Sequence, residues 1–326
     1  MKVQRVLIPT DLSEKSNAAL KSINSFIEAF DCIVDVMHVI PLSRYLNDSF
    51  DRLGVPLNME KEVYPKLIEN KREELNNFFT KYITNEKNRG EVLISIDRKP
   101  SDSVLEQTKK KDYDLIMMSA KGEHADQFFH GSATDKIIRH SKVPVLTLAE
   151  HLVPAKLNTI VVPCDFSNTS LAALPLAFDL AIQFGAKLEL LHVIELYAAD
   201  IQGIEPTVVG VDDNAVYNSI VEQVRSFFKD FAAAEFTLTE KDEIYEDTLH
   251  RELNGTKESV EVRTVIVKGV AAHHEIIDYA NGHADMLVMS THGRSGFSRM
   301  LLGSTTEQVV QHVNKPQLTI KPQLED

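Results

Sequence analysis

The chain has 326 residues, enough for two domains that each bury a core of their own. Hydrophobic residues make up 43% and charged residues 25%, the balance of a folded globular protein and not of a disordered or fibrous one. With 35 Lys+Arg against 48 Asp+Glu the formal net charge is −13, which excludes a general affinity for nucleic acid or an anionic membrane but leaves room for a local pocket holding one small anion.

In chain order the first 150 residues alternate between strand and helix signals. The opening, MKVQRVLIPTD, lacks the long apolar segment of a signal peptide. VQRVLIP is instead a short β-branched strand, and SNAALKSINSFIEAF follows with apolar residues at helical spacing, preceded by Asp and Ser as N-cap candidates. CIVDVMHVI returns as a strand, and KEVYPKLIENKREELNNFFTKYI is an amphipathic helix. EVLISID and DLIMMS are third and fourth strands; a last helix stops at Pro144 and runs into VPVLTL.

After a short join, HLVPAK, the same order repeats. NTIVVP, KLELLHVIE, EVRTVIV, DMLVMS and PQLTI are strands; SLAALPLAFDLAIQF, NSIVEQVRSFFKDFAAAE and the segment ending at Pro316 are helices. The apolar stretch from Leu171 to Leu196 is interrupted by Pro175, Asp179, Gln183, Lys187 and Glu189, so it is no membrane span. Cys32 and Cys164 stand at non-equivalent places with no CxxC spacing, which points away from disulfides and zinc and towards a reducing cytoplasm.

The repeat is internal homology, not a shared rhythm alone. RVLIPTDLSEKSNAAL (5–20) lines up with TIVVPCDFSNTSLAAL (159–174), and Asp11 and Asp165 are each followed 27 residues later by a histidine, His38 and His192. DYDLIMMSAKG (112–122) matches HADMLVMSTHG (283–293), and HGSATDKIIRHSKVPVLTL matches LGSTTEQVVQHVNKPQLTI. The expected architecture is therefore α/β: two doubly wound, Rossmann-like parallel sheets in tandem, over 1–150 and 157–326, with ligand crevices beyond the carboxyl ends of the strands.

Chemistry concentrates in MSTHGRSGFSRMLLGSTTEQVV (289–310), directly after a strand. Gly293 and Gly296 can take positive φ and leave amides uncovered, and Gly303 permits close approach. Ser304, Thr305 and Thr306 then open a helix whose free N–H groups favour an anion, with Arg294 and Arg299 adding charge. This reads as a phosphate cradle. A competing reading needs no ligand: Ser304 to Glu307 has the form of a capping box, as does Ser132 to Asp135. The dinucleotide GxGxxG fingerprint and the Walker A loop are both absent. Seven histidines (His124, His130, His273, His274, His283, His292, His312) lack the spacing of a metal site, and Lys109 to Lys111 reads as a solvated helix end. No nucleophile–base or paired-carboxylate arrangement follows from spacing, so the chain is expected not to be an enzyme.

The stretch THGRSGFSRMLLGS resembles the motif of the universal stress protein family, in its ATP-binding branch: Gly-x2-Gly-x9-Gly-Ser/Thr after a strand. Gly293 is the second glycine, nine residues intervene, and Gly303-Ser304 closes the motif, while Ser290 stands where the pattern has its first glycine. IPTD and VPCD match the family's opening PxD, and His38-Val39 and His192-Val193 match its HV. The resemblance implies an adenine nucleotide alpha hydrolase-like fold that binds ATP or AMP, with Mg²⁺ accompanying the phosphates. Asp165 and the main chain of Val193 would face the adenine, and Ser290, Gly293, Arg294, Gly296, Gly303, Ser304 and Thr305 would hold the phosphates. For Asp165 helix capping is the alternative role.

Asp11, Val39, Gly122, Gly131 and Ser132 would form a degenerate copy of the site in the first half. There only eight residues separate the two glycines, and the loop has lost both arginines and gained Glu123 and Asp126, so weak binding at most is expected. The family also implies pairing of VPVLTL with PQLTI as an intramolecular pseudo-dimer, with a homodimer compatible beyond it. The expected function is that of a cytoplasmic regulatory module in stress response. The alternatives are an interaction protein that binds no nucleotide, or a slow ATPase or autophosphorylating protein.

Overall fold

The computed structural model describes residues 3–41, 63–120, 132–149, 153–196, 212–230, 236–241, 243–293 and 302–322. The chain divides into two units, with the boundary between Val153 and Pro154. The first runs β1 (Arg5–Pro9), α1 (Ala18–Phe30), β2 (Ile33–Pro41), α2 (Tyr64–Tyr82), β3 (Arg89–Asp97), α3 (Pro100–Lys110), β4 (Leu115–Ser119), α4 (Ser132–His140) and β5 (Val145–Leu148). Its strands lie in the order β3-β2-β1-β4-β5, every pair parallel. No helix among the described residues is long and apolar enough to cross a membrane.

The second unit repeats this plan and extends it. Its elements are β6 (Thr159–Pro163), α5 (Asn168–Leu171), α6 (Leu174–Phe184), β7 (Lys187–Glu195), α7 (Asp213–Asp230), β8 (Phe236–Glu240), β9 (Glu246–Leu253), β10 (Thr256–Gly269), α8 (Ala272–His283), β11 (Met286–Ser290), α9 (Ser304–His312) and β12 (Gln317–Ile320). The order is β12-β11-β6-β7-β10-β9-β8, parallel except for the two outer pairings. The mixed α/β, mostly parallel and doubly wound arrangement is the one the alternation of signals predicts.

Residues of β6 show why its strands read as unbroken apolar runs. Val161 faces a cluster with Leu191, Leu287, Ile276, Ala280, Val309 and Val313, so α8 and α9 cover that face. Ile160 and Val162 alternate to the opposite face and are fully buried as well. Each such side chain contributes about 1.5–3 kcal/mol relative to exposure. The aspartate that opens DLIMMS and DMLVMS has a structural reason too. Asp114 Oδ2 accepts from the N–H groups of Gln4 and Arg5 at 2.8 and 2.9 Å, and Asp285 Oδ2 accepts from Asn158 and Thr159 at 2.7 and 3.1 Å. The same device starts the first strand of each half.

Three features depart from the sequence reading. The helix expected over SLAALPLAFDLAIQF is two helices, because Pro175 lies in the first turn of α6 and cannot donate to a preceding turn. Next, α7 begins at Asp213, ahead of the expected NSIVEQ. Finally, the third strand EVRTVIV is only the end of a 14-residue strand whose first part pairs antiparallel with β9. The turn between them is Asn254-Gly255, with φ of 52° and 79°, the left-handed pair that a two-residue hairpin requires. Arg251 ties this hairpin to the body: its guanidinium binds Asp179 and Glu258 and lies 5.0 Å from the ring centre of Phe178 and 5.7 Å from that of Phe236.

Candidate functional site

In the second unit the chain switches sides at β6, whose neighbours are β7 on one side and β11 on the other. The crevice beyond the carboxyl ends of these strands is where doubly wound sheets bind ligands. The turn after β6, the end of β7, the loop after β11 and the start of α9 all lead to it.

The turn after β6 is held by its own polar side chains. Asp165 Oδ1 accepts from the Ser167 N–H at 3.0 Å and from the Ser167 hydroxyl. The N-cap of α5 is Ser167, whose hydroxyl accepts from Ser170 N–H at 3.1 Å, so Asp165 does not cap the helix. Phe166 between them has φ of 66°, and Leu12, its counterpart in the first half, has φ of 65°. A bulky residue in that region is strained, and both halves retain it. The turn directs the Phe166 ring onto the imidazole of His192, with centroids 4.1 Å apart.

At the end of β7 the ladder stops in an unusual way. Cys164 N–H donates to Leu191 O at 2.9 Å, so Leu191 presents its main chain towards β6. Two residues on, Val193 faces the same side, past Pro163 where β6 has ended. The next rung would join Val193 N–H to Cys164 O, but that carbonyl accepts from His192 Nδ1–H at 2.9 Å. Among the described residues the Val193 N–H and C=O have no partner on that side. In the first half Thr10 N–H donates to Met37 O, His38 Nδ1–H donates to Thr10 O at 2.9 Å, and Val39 takes the place of Val193.

The loop after β11 and the start of α9 are pinned together. Gly303 N–H donates to Thr291 O at 3.0 Å, and the buried Thr306 hydroxyl donates to Ser290 O at 3.1 Å. Ser290 is itself buried, with its hydroxyl 3.5 Å from Ser170 O. The serine that replaces the pattern's first glycine thus turns its side chain inward and leaves the crevice clear. Gly293 sits where any Cβ would run into Asp165 Oδ2, and its carbonyl accepts from the Thr169 hydroxyl at 3.2 Å. Positive φ was expected at Gly293; the glycine instead serves close approach, because the Asp165 carboxylate occupies the space of a side chain. Arg294 and Gly296 lie outside the described residues.

The capping box expected at Ser304 does not form. The N-cap of α9 is Gly303, with φ −59° and ψ 140°, and no side chain caps the helix. Among the described residues the side chains of Ser304 and Thr305 make no hydrogen bond, and the first amides of the helix stay without a protein acceptor. Among the described residues a Cβ at Gly303 would meet nothing nearer than Thr291 O at 3.4 Å, and none of these demands glycine there. The His292 Cα lies 3.9 Å from where a Gly303 Cβ would stand; its ring Nδ1 is 2.8 Å from Thr291 Oγ1, and among the described residues its enclosed Nε2 has no partner. An uncapped helix start, a glycine where a side chain would meet only ordinary contacts and an orphaned ring nitrogen fit an anionic ligand.

The first unit keeps the frame of this site. Asp11 Oδ1 accepts from Ser13 N–H at 3.0 Å, and Val39 is buried beside His38. Ser132 opens α4, while Gly122 and Gly131 lie outside the described residues. Cys164 beside the second site is not a nucleophile: burial, reinforced by the Asp165 charge, pushes its thiol up to about 12. Among the described residues no three His, Cys, Asp or Glu side chains are placed to hold a metal ion. Sequence reasoning missed Phe166, Thr169 and the ring of His192. The one available signal was the shared 27-residue spacing from aspartate to histidine, which implies a common structural task.

Comparison with known proteins agrees with this frame. Universal stress protein MJ0577 of Methanocaldococcus jannaschii is 31% identical over 163 residues, half of this chain and 93% of that protein. Universal stress protein MJ0531 of the same organism is 29% identical over 164 residues, again half of this chain and 81% of its own length. Among solved structures, a universal stress protein from Archaeoglobus fulgidus superposes with a TM-score of 0.66 at 21% identity, over 98% of this chain and 99% of that one, a likeness of fold. The model of the universal stress protein family matches twice, over residues 2–148 and 156–321. With its aspartate turn, HV strand end and glycine loop recurring in both matched segments, the chain belongs to the universal stress protein family and carries two of its domains in tandem.

Proposed function

We propose that the C-terminal domain binds an adenine nucleotide, ATP or AMP, and acts as a regulatory module in stress response. The observation that carries this reading is the start of α9, where helix amides without a side-chain cap follow a glycine that none of the described residues demands. Phosphate oxygens there gain backbone N–H donors and the positive end of the helix dipole, with the hydroxyls of Ser304 and Thr305 and the glycine loop around them. The adenine edge would pair with the free N–H and C=O of Val193, and Asp165, on the turn opposite, would accept from the nucleotide. Mg²⁺, if it accompanies a triphosphate, would be held by phosphate oxygens and water, since the described residues offer no cluster of protein ligands.

The first domain keeps the aspartate turn and strand end, but its loop has lost both arginines and gained Glu123 and Asp126, which disfavours a triphosphate. Binding therefore belongs to one domain of the pair. No step of bond cleavage is assigned: Cys164 is held as a neutral thiol, and no observation among the described residues gives the His292 imidazole or another group beside the helix start the task of a general base. The test is direct. Freshly purified protein is denatured and the supernatant analysed for adenine nucleotide by absorbance and mass, alongside equilibrium dialysis with ATP. One nucleotide per chain is expected; no release and no saturable binding at millimolar ATP would refute the reading.

A further inference from the structure

We infer that His192 is a positioning residue that keeps the Val193 main chain available to a ligand, and that it sets the preference for the base; this rests on the nucleotide reading above. The reasoning begins with the ladder between β6 and β7. Parallel strands bond in a fixed alternation, so Cys164 N–H to Leu191 O should be followed by Val193 N–H to Cys164 O. That second bond is missing, and its acceptor is engaged by His192 Nδ1–H at 2.9 Å. The imidazole thus takes one strand carbonyl out of the ladder. What it leaves behind is an N–H and a C=O on one residue, side by side, at the rim of the crevice.

Such a donor–acceptor pair recognises a base that offers an acceptor next to a donor along one edge. Adenine does; hypoxanthine, with a ring N–H beside a carbonyl, presents the reverse at the same edge. An unpaired main-chain group near the core is costly, and in the second domain a base at the crevice would supply the missing partner. The arrangement is also built twice. His38 Nδ1–H donates to Thr10 O at 2.9 Å, Thr10 N–H donates to Met37 O at 2.9 Å, and Val39 follows. The side chains around the two histidines differ, since Phe166 stacks on His192 while Leu12 holds that place in the first half, yet the hydrogen bond is the same. The diversion of the carbonyl therefore belongs to the histidine and not to its neighbours.

The test separates this device from nucleotide binding as such. In ¹⁵N-labelled protein without nucleotide, the Val193 amide should exchange with solvent rapidly. In His192→Phe, which keeps a flat ring against Phe166 but removes the donor, Cys164 O returns to the ladder and exchange at Val193 should slow by about two- to tenfold, one hydrogen bond's worth. In the same variant ATP should bind at least about tenfold more weakly, while inorganic tripolyphosphate, which has no base, binds as before. The preference for ATP over ITP should fall to near one, and His192→Asn, whose side-chain amide can stand in for Nδ1–H, should restore it. A slowly exchanging Val193 amide in the parent protein overturns the inference. So does an unchanged ATP-to-ITP ratio in His192→Phe. If the exchange rates behave as stated but the parent binds no ATP, the nucleotide reading fails while the positioning role of His192 stands.

Discussion

Replacing Gly303 by alanine separates what the fold needs from what a ligand needs. The residue has φ −59° and ψ 140°, a conformation open to any amino acid, so no backbone strain is introduced. The added Cβ would lie 3.4 Å from Thr291 O, 3.7 Å from Thr306 Oγ1 and 3.9 Å from His292 Cα, all ordinary contacts. Stability should change by less than about 0.5 kcal/mol, or rise slightly because alanine narrows the unfolded ensemble. In a domain of this size that is a melting shift of no more than about 2 °C. The methyl group is, however, added at the N-cap, directly ahead of the amides that a phosphate would use. Displacing a phosphate from two charge-assisted hydrogen bonds, each worth about 1.5–3 kcal/mol, should weaken ATP binding by about a hundredfold or more. Differential scanning fluorimetry and isothermal titration on the same preparations measure both quantities. If Gly303→Ala binds ATP within threefold of the parent, no phosphate sits at that turn. If it instead loses several kcal/mol of stability, the glycine serves the fold and not a ligand.

Three further outcomes follow from contacts elsewhere. Gly293→Ala places a Cβ against Asp165 Oδ2, so unlike Gly303→Ala it should cost about 1–3 kcal/mol in stability, read from the urea midpoint, as well as nucleotide affinity. Asp35 is fully buried; burial alone would raise its pKa, but hydrogen bonds from Lys111, Glu91 N–H and Tyr113 and the charge of Arg5 outweigh it and hold the group below the usual 3.8. Its folded value being the lower one, its contribution is complete above the ordinary carboxylate range and is lost as pH falls below about 4. The stability gap between parent and Asp35→Asn should therefore be wide at pH 7 and narrow at pH 3; a constant gap would contradict the assignment. Arg251→Met removes the cation from Asp179 and Glu258 and from the faces of Phe178 and Phe236, and should cost about 3 kcal/mol with a melting decrease of about 6–12 °C.

Much of this protein is written locally. The tandem repeat, the parallel strands and the placement of PxD, HV and the glycine loop at strand ends follow from periodicity and from matched blocks, because a strand buried on both faces must be apolar throughout. Helix ends were legible where a proline or a polar cap acts within a few residues, although the break at Pro175 and the Asn254-Gly255 hairpin were local signals that went unread. What no local pattern could decide is who receives each hydrogen bond. Ser304 to Glu307 has the spelling of a capping box, yet Gly303 takes the N-cap because Thr291 O, reached across the loop, binds its amide and fixes the entry of the chain. Asp165 has the spelling of a cap, yet Ser167 caps and the carboxylate lies against Gly293, over a hundred residues away. His192 frees the Val193 main chain only because Cys164 of the neighbouring strand ends within its reach. Sequence periodicity sets which face of an element is buried, since that depends on a residue and its near neighbours. The chemistry of the crevice depends on groups brought together from three separate strand ends and one helix start, and only the packed sheet defines those distances.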